Sequence, residues 1–200
     1  MSEAAPGRSV AGKIGVTLLC VYLTAVAVRI DGCYGAEGAA RDELPAAGPK
    51  VGEPFPAFTL ADVSGAHIAL HDLAGRAAIV AFVPSLDWSP PTKARVLDLA
   101  EAVSGRADVR LAVILTAAAA TPRSLTFVRE HQPPAFFLVD GDGLTERLGL
   151  QVPGPEQAAV AVPATFVLGP DGTVLLRDVR RDARVWLDPR ALLAAARLSP

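Results

Sequence analysis

The sequence predicts an α/β protein in which one central mixed sheet is flanked by helices. An N-terminal β-hairpin and an N-terminal apolar segment precede it. Three observations carry this prediction. A continuous apolar run, AAIVAFV (77–83), and a second stretch, VRLAVIL (109–115), apolar but for Arg110, read as buried strands, the first as one covered on both faces. Between them lies a stretch with helical spacing, in which Val96, Leu99, Ala100 and Val103 share one face. Finally, TFVLG (165–169), the turn Pro170-Asp171-Gly172 and TVLLRDV (173–179) read as an antiparallel hairpin, so the sheet cannot be purely parallel.

The remaining elements follow in order. FTL (58–60), a turn at DVSG (62–65) and HIAL (67–70) form the small leading hairpin. Thr121-Pro122 starts a helix through Arg129, and AFFLV (135–139) is a short strand that ends at the turn DGDG (140–143). DGDG lacks the further acidic ligands of a calcium loop and is expected to be a turn only. Asp188-Pro189 starts a last helix with Leu192, Leu193 and Ala196 on its inner side. Alternating strands and helices followed by a hairpin give a layered sandwich.

Ahead of this domain the chain changes character. Lys13 and Arg29 bracket IGVTLLCVYLTAVAV, fifteen residues without a charge. That matches the apolar core of a signal peptide and falls short of the ~20 residues of a comfortable spanning helix. Arg8 and Lys13 before it favour a cytoplasmic N-terminal flank. Residues 1–32 are therefore expected to be a signal peptide or a membrane anchor. The protein would be anchored to the inner membrane facing the periplasm or cell exterior, or secreted if the segment is cleaved. Residues 33–54 are rich in Ala, Gly, Pro and alternating charge, so 33–50 is expected to be a flexible linker and 51–200 the folded domain.

Composition excludes several functions. A net charge of −2 gives no general attraction for nucleic acid. The RDVRRDAR cluster (177–184) is interrupted by two aspartates and reads as a solvated strand edge and turn. The two cysteines are Cys20 and Cys33, so residues 34–200 can supply no disulfide, thiolate ligand or thiol chemistry. His67, His71 and His131 are too few and too scattered for a metal site, and no cofactor is expected.

One segment stands out. The strand at 77–83 runs into DWSPPTK (87–93), in which Ser89 is a favoured helix N-cap and Pro90 a favoured first helical residue. Four features recur together here: VGEPFPAFTLADVSG (51–65), AIVAFVP (78–84) leading into DWSPPTK, AVPATFVLGPDGTVLLRD (161–178) and the closing helix. In these the chain resembles the redoxin branch of the thioredoxin superfamily. That branch includes the alkyl hydroperoxide reductase/thiol-specific antioxidant proteins and the thioredoxin-like oxidoreductases tethered in the bacterial envelope. The resemblance covers residues 51 to about 198 and implies a thioredoxin-like sandwich.

The resemblance also implies where chemistry would lie. A Trp-Cys-Pro-Pro-Cys motif falls on Trp88, Ser89, Pro90, Pro91 and Thr92, and the alternative Thr-x-x-Cys falls on Ser89–Thr92. Thr92 stands at a cysteine position in both alignments, and Ser89 in the first. The proline of the facing loop, commonly cis in the family, maps to Pro163 within Val162, Pro163, Ala164 and Thr165. The family reaction needs a thiolate, activated by the unpaired N–H groups of a helix start. A serine or threonine hydroxyl forms neither a disulfide nor a sulfenic acid. No histidine adjoins the motif to act as the base for a hydroxyl nucleophile.

Three functions remain open at this level. The first is a redox-inactive domain that binds an envelope protein or peptide, with an extended strand pairing near Val162. The second is a thiol-disulfide oxidoreductase or peroxiredoxin-like enzyme that borrows Cys33 or a partner's thiol. The third is a structural envelope protein. Copper delivery, known among envelope relatives, lacks its thiolate ligands.

Overall fold

A computed structural model describes residues 43–44, 46–84, 86, 90–116, 120–153, 159–182 and 186–197. The expected N-terminal signal or anchor, Cys20 and Cys33, lies outside them, as do Trp88 and Ser89. Among the described residues no helix is long and apolar enough to cross a membrane.

The leading hairpin forms as expected from β1 (Thr59–Asp62) and β2 (His67–Ala69). Its turn is held by the Asp62 carboxylate, which accepts from the Ser64 N–H at 2.8 Å and the Ala66 N–H at 2.9 Å. A 3₁₀ turn (Leu70–Leu73) leads to β3 (Ala77–Val83), then α1 (Pro90–Val103), β4 (Val109–Leu115) and α2 (Pro122–His131). β5 (Phe136–Val139) is followed by the one-turn α3 (Leu144–Arg147) and the short strands β6 (Gln151–Pro153) and β7 (Ala159–Ala161). β8 (Ala164–Leu168), β9 (Val174–Val179) and α4 (Pro189–Arg197) complete the domain.

The main sheet has the order β2-β1-β5-β4-β3-β8-β9, and β6 pairs with β7 apart from it. β3, β4 and β5 run parallel, while β1, β2, β8 and β9 join antiparallel, so the sheet is mixed as predicted. β3 is central, and all seven of its residues are buried. Its side chains alternate between two cores. Ala78, Val80 and Phe82 enter one, and Ala77, Ile79, Ala81 and Val83 the other. The second core is closed by α1, α2 and α4 through Val96, Leu99, Phe127 and Leu192. The first is covered instead by α3 and by chain between Ala47 and Phe58, with Phe166 at its centre. Phe166 meets Phe55 at 5.2 Å and Phe82 at 6.0 Å between ring centroids, both edge-on.

Sequence signals account for most helix ends. Thr121 accepts from the Ser124 N–H at 3.2 Å and Pro122 opens α2. α3 and the β6–β7 pair are additions to the sequence reading. α3 follows from the DGDG turn. The Asp140 carboxylate, 6% exposed, accepts from the Leu144 N–H at 2.7 Å and the Thr145 N–H at 2.8 Å, anchoring a turn too short to show helical periodicity.

Two expectations need correction. Residues 43–50 are not a free linker; the compact unit that holds the sheet begins at Glu43. Ala47 is buried in the first core, and Gly48, at φ +74°, lies against Phe166 so closely that a Cβ would sit 2.7 Å from its Cζ. Small residues that look like linker composition are here what close packing requires. Over residues 177–180 the RDVRRDAR cluster is likewise not a solvated edge. Asp178 is 2% exposed and pairs with the Arg180 guanidinium, while Arg177 turns to the opposite face and bonds Glu43. The period-2 alternation of β9 sends the adjacent Arg177 and Asp178 to opposite faces, where each finds an opposite charge.

Candidate functional site

The C-terminal end of β3 and the N-terminal end of β8 lie side by side, because Phe82 is the register partner of Ala164 and Ala81 of Thr165. The two predicted motif loops therefore meet at one end of the sheet. From β3 the chain passes through Pro84 and the fully buried Leu86 to α1. α1 begins at Pro90, the position next to the predicted N-cap Ser89, which is outside the described residues. Pro90 and Pro91 are exposed, whereas Thr92 is 1% exposed and turned inward. The first turn thus presents two prolines to solvent and tucks the family's cysteine position into the protein.

The facing loop differs from the expectation. No peptide bond among the described residues is cis, so Val162–Pro163 is trans. The flanking hydrogen bonds explain this: Val162 N–H donates to Leu150 O at 2.9 Å, and Pro163 O accepts from Arg180 N–H at 3.1 Å. Both neighbours are bound into extended chain, which trans continues at no isomer cost. Near the backbone where a partner strand was expected to pair, the Val162 N–H already donates to Leu150 O. Val162, Pro163, Ala164 and Thr165 are all buried.

Beneath this end lies a polar cluster that sequence reading missed. Arg95, three residues after Thr92, is 6% exposed, and its Nε and Nη2 find no hydrogen-bond partner. Its guanidinium lies 5.3 Å from the centroid of the Trp186 ring. Burial pushes its affinity for the proton down, opposed by the charges of Asp178, Asp98 and Asp188. Asp178 in turn binds Arg180 and accepts from Leu187 N–H at 3.3 Å. An arginine inside an apolar helical stripe was the one available signal, since charged residues at core spacing require a partner.

Thr165 faces the same side of the sheet as its register partner Asp178, and its buried Oγ1 is unsatisfied. An orphaned buried hydroxyl costs about 1–3 kcal/mol. Thr165→Val keeps the shape and removes the orphan, so it is expected to stabilise the fold by about 1 kcal/mol. Urea denaturation would check this through a higher midpoint at unchanged slope.

The other candidates fall away from this end. His67 and His71 are exposed, and His131 stacks on Phe127 at 4.5 Å. Among the described residues no group of three His, Cys, Asp or Glu side chains is placed to hold a metal ion. A cavity of about 570 Å³, lined by Phe58, Leu73, Ala78 and Leu168, opens at the opposite end of β3.

A mixed sheet whose central strand runs into a helix start beside a proline loop, with the remaining helices packed around it, defines a thioredoxin-like redoxin domain. Residues 51–177 match the AhpC/TSA family, and the chain belongs to that family. Solved structures agree on the fold. A peroxiredoxin-like protein from Aquifex aeolicus is 15% identical, with a TM-score of 0.65 over 76% of this chain and 88% of its own. A thiol peroxidase from Chromobacterium violaceum is 18% identical, with a TM-score of 0.63 over 76% and 89%. A secreted disulfide oxidoreductase of Mycobacterium tuberculosis is 24% identical, with a TM-score of 0.52 over 70% and 96%. No curated protein sequence matches the chain.

Proposed function

We propose that this chain is an exported, membrane-tethered redoxin-domain protein that is redox-inactive and acts by binding an envelope protein or peptide. The observation that carries the reading is chemical: the family's fold is intact, yet residues 34–200 contain no cysteine. Thr92, at the position the resemblance assigns to a cysteine, is an inward-turned hydroxyl in the first turn of α1. A hydroxyl there supports neither disulfide exchange nor a sulfenic acid. Tethering rests on the uncharged stretch 14–28 and its preceding basic residues.

Recognition falls to the exposed start of α1 rather than to strand pairing at Val162, whose N–H is already bonded. Pro90 and Pro91 give a rigid apolar step beside that end of the sheet. Pro91→Arg is expected to weaken capture of the natural partner from envelope extracts at least about tenfold, the loss that ~1.4 kcal/mol at an interface produces. The circular dichroism spectrum of the variant should not change. Equal recovery of the same partner by both proteins would sink this surface.

A second reading keeps an enzyme: a thiol-disulfide oxidoreductase or peroxiredoxin-like protein that uses Cys33 or a partner's thiol. It is favoured by Cys33, which follows the apolar segment in sequence, and by the thiol chemistry in the names of the structural neighbours. Its Cys33 form fails if peroxide or disulfide turnover is unchanged in Cys33→Ser, and the whole reading fails if the chain shows no turnover with or without an added thiol protein.

A further inference from the structure

Residues 43–54 are fastened along the free edge of β9, and most of the fastening is polar. A single guanidinium, that of Arg177, spends all three of its nitrogens on this strap. Its Nε donates to Ala47 O at 3.1 Å, Nη1 to Glu43 Oε1 at 2.6 Å, and Nη2 to Ala47 O at 2.6 Å and also to Leu44 O. The Arg177 side chain is only 8% exposed, so the strap buries the charge it binds. Backbone bonds close the two ends. Leu44 N–H donates to Val179 O at 3.0 Å, and Gly52 N–H to Val174 O at 2.8 Å.

The strap's first contact reaches the candidate site. Glu43 bridges Arg180, and Arg180 N–H is the donor to Pro163 O. The Arg180 side chain holds Asp178, which binds Leu187 N–H beside Trp186 and Arg95 of α1. β9 therefore carries the strap on one face through Arg177 and the polar cluster under the site on the other through Asp178.

We propose that residues 43–54 form a latch, locked by Arg177, whose closure holds the β9–Pro163 rim of the site. This rests on reading that end as the binding surface. The strap adds Ala47, Pro49 and the half-buried Leu44 to the first core but no large, fully buried side chain, so it belongs to the low-stability end of the domain and can open without the sheet unfolding. Opening breaks the Arg177 bonds, returns its guanidinium to water and frees the end of β9 that supplies the Arg180 donor. Coupling of this kind is reciprocal, so a partner seated on the rim tightens the strap, and tension on the N-terminal segment loosens the rim.

Amide hydrogen exchange on the full chain tests the latch and needs no partner, so it is independent of whether the binding reading holds. In Arg177→Ala, the Leu44, Gly48 and Arg180 amides are expected to exchange at least about tenfold faster, while those of Ile79–Val83 stay unchanged. Arg177→Lys, which keeps the charge but loses the fork, falls between. Faster exchange at Leu44 and Gly48 with Arg180 unmoved would make the strap a passive cover and overturn the proposal. No change at any of the three would do the same. If the Ile79–Val83 amides also accelerate, Glu43→Gln removes only the outer contact. Leu44 and Arg180 must then still rise together, or the latch is refuted.

Discussion

Replacing Ser89 and Thr92 together by cysteine is expected to give the chain a strong disulfide reductase activity. The variant places a thiol just before α1, at the positive end of the helix dipole. Such a position lowers a cysteine pKa from ~8.5, where only a few per cent is thiolate at neutral pH, to ~7 or below, where about half or more is. The second thiol, at the buried Thr92 position, would resolve the mixed disulfide from inside. Insulin reduction with dithiothreitol measures the gain, expected to be at least about tenfold over the natural chain. Thr92→Cys alone is expected to stay inert, because a thiol at a site 1% exposed is shielded from substrates. Activity in that single variant would point to the peroxiredoxin alignment, in which one thiol at this position suffices.

Phe166→Ala is expected to carry the largest stability loss, about 3–5 kcal/mol. Phe166 is fully buried, touches Phe55 and Phe82 edge-on, and forms the surface on which Gly48 rests. Its loss opens a cavity under β8 and under the strap at once, so collapse around it is limited. Guanidinium denaturation followed by far-ultraviolet circular dichroism would register the loss as a lower midpoint. A cost under about 1 kcal/mol would mean that the strap relaxes into the space.

Most of the fold was legible because its strands obey simple patterns. The runs 77–83 and 109–115 coincide with β3 and β4, since burial on both faces demands near-continuous apolar sequence, broken here only at the half-buried Arg110. Thr121-Pro122 and Asp188-Pro189 mark helix starts because an oxygen acceptor followed by proline satisfies a helix N-terminus locally. What escaped had no local signature. The strap resembles a linker because Ala47 and Gly48 are chosen for closeness to Phe166, about 120 residues away in sequence. α3 is one turn, fixed by the Asp140 carboxylate rather than by periodicity.

The ends of β3 and β8, next to which the two predicted motifs stand in sequence, are neighbours in the sheet. The isomer at Pro163 and the availability of the Val162 N–H depended on Arg180 and Leu150, whose roles only the tertiary structure reveals. Arg95 was hidden for the same reason. Its environment is assembled by Trp186 and by the charges of Asp178 and Asp188, from the other end of the domain.

The central claim is that a redoxin fold persists here without redoxin chemistry. Peroxide consumption by the full chain, supplied with a thiol reductant and compared with Cys33→Ser, tests it most directly. The account predicts that both proteins match the protein-free rate. Turnover by the natural chain that disappears in Cys33→Ser would contradict it and establish the chain as an enzyme.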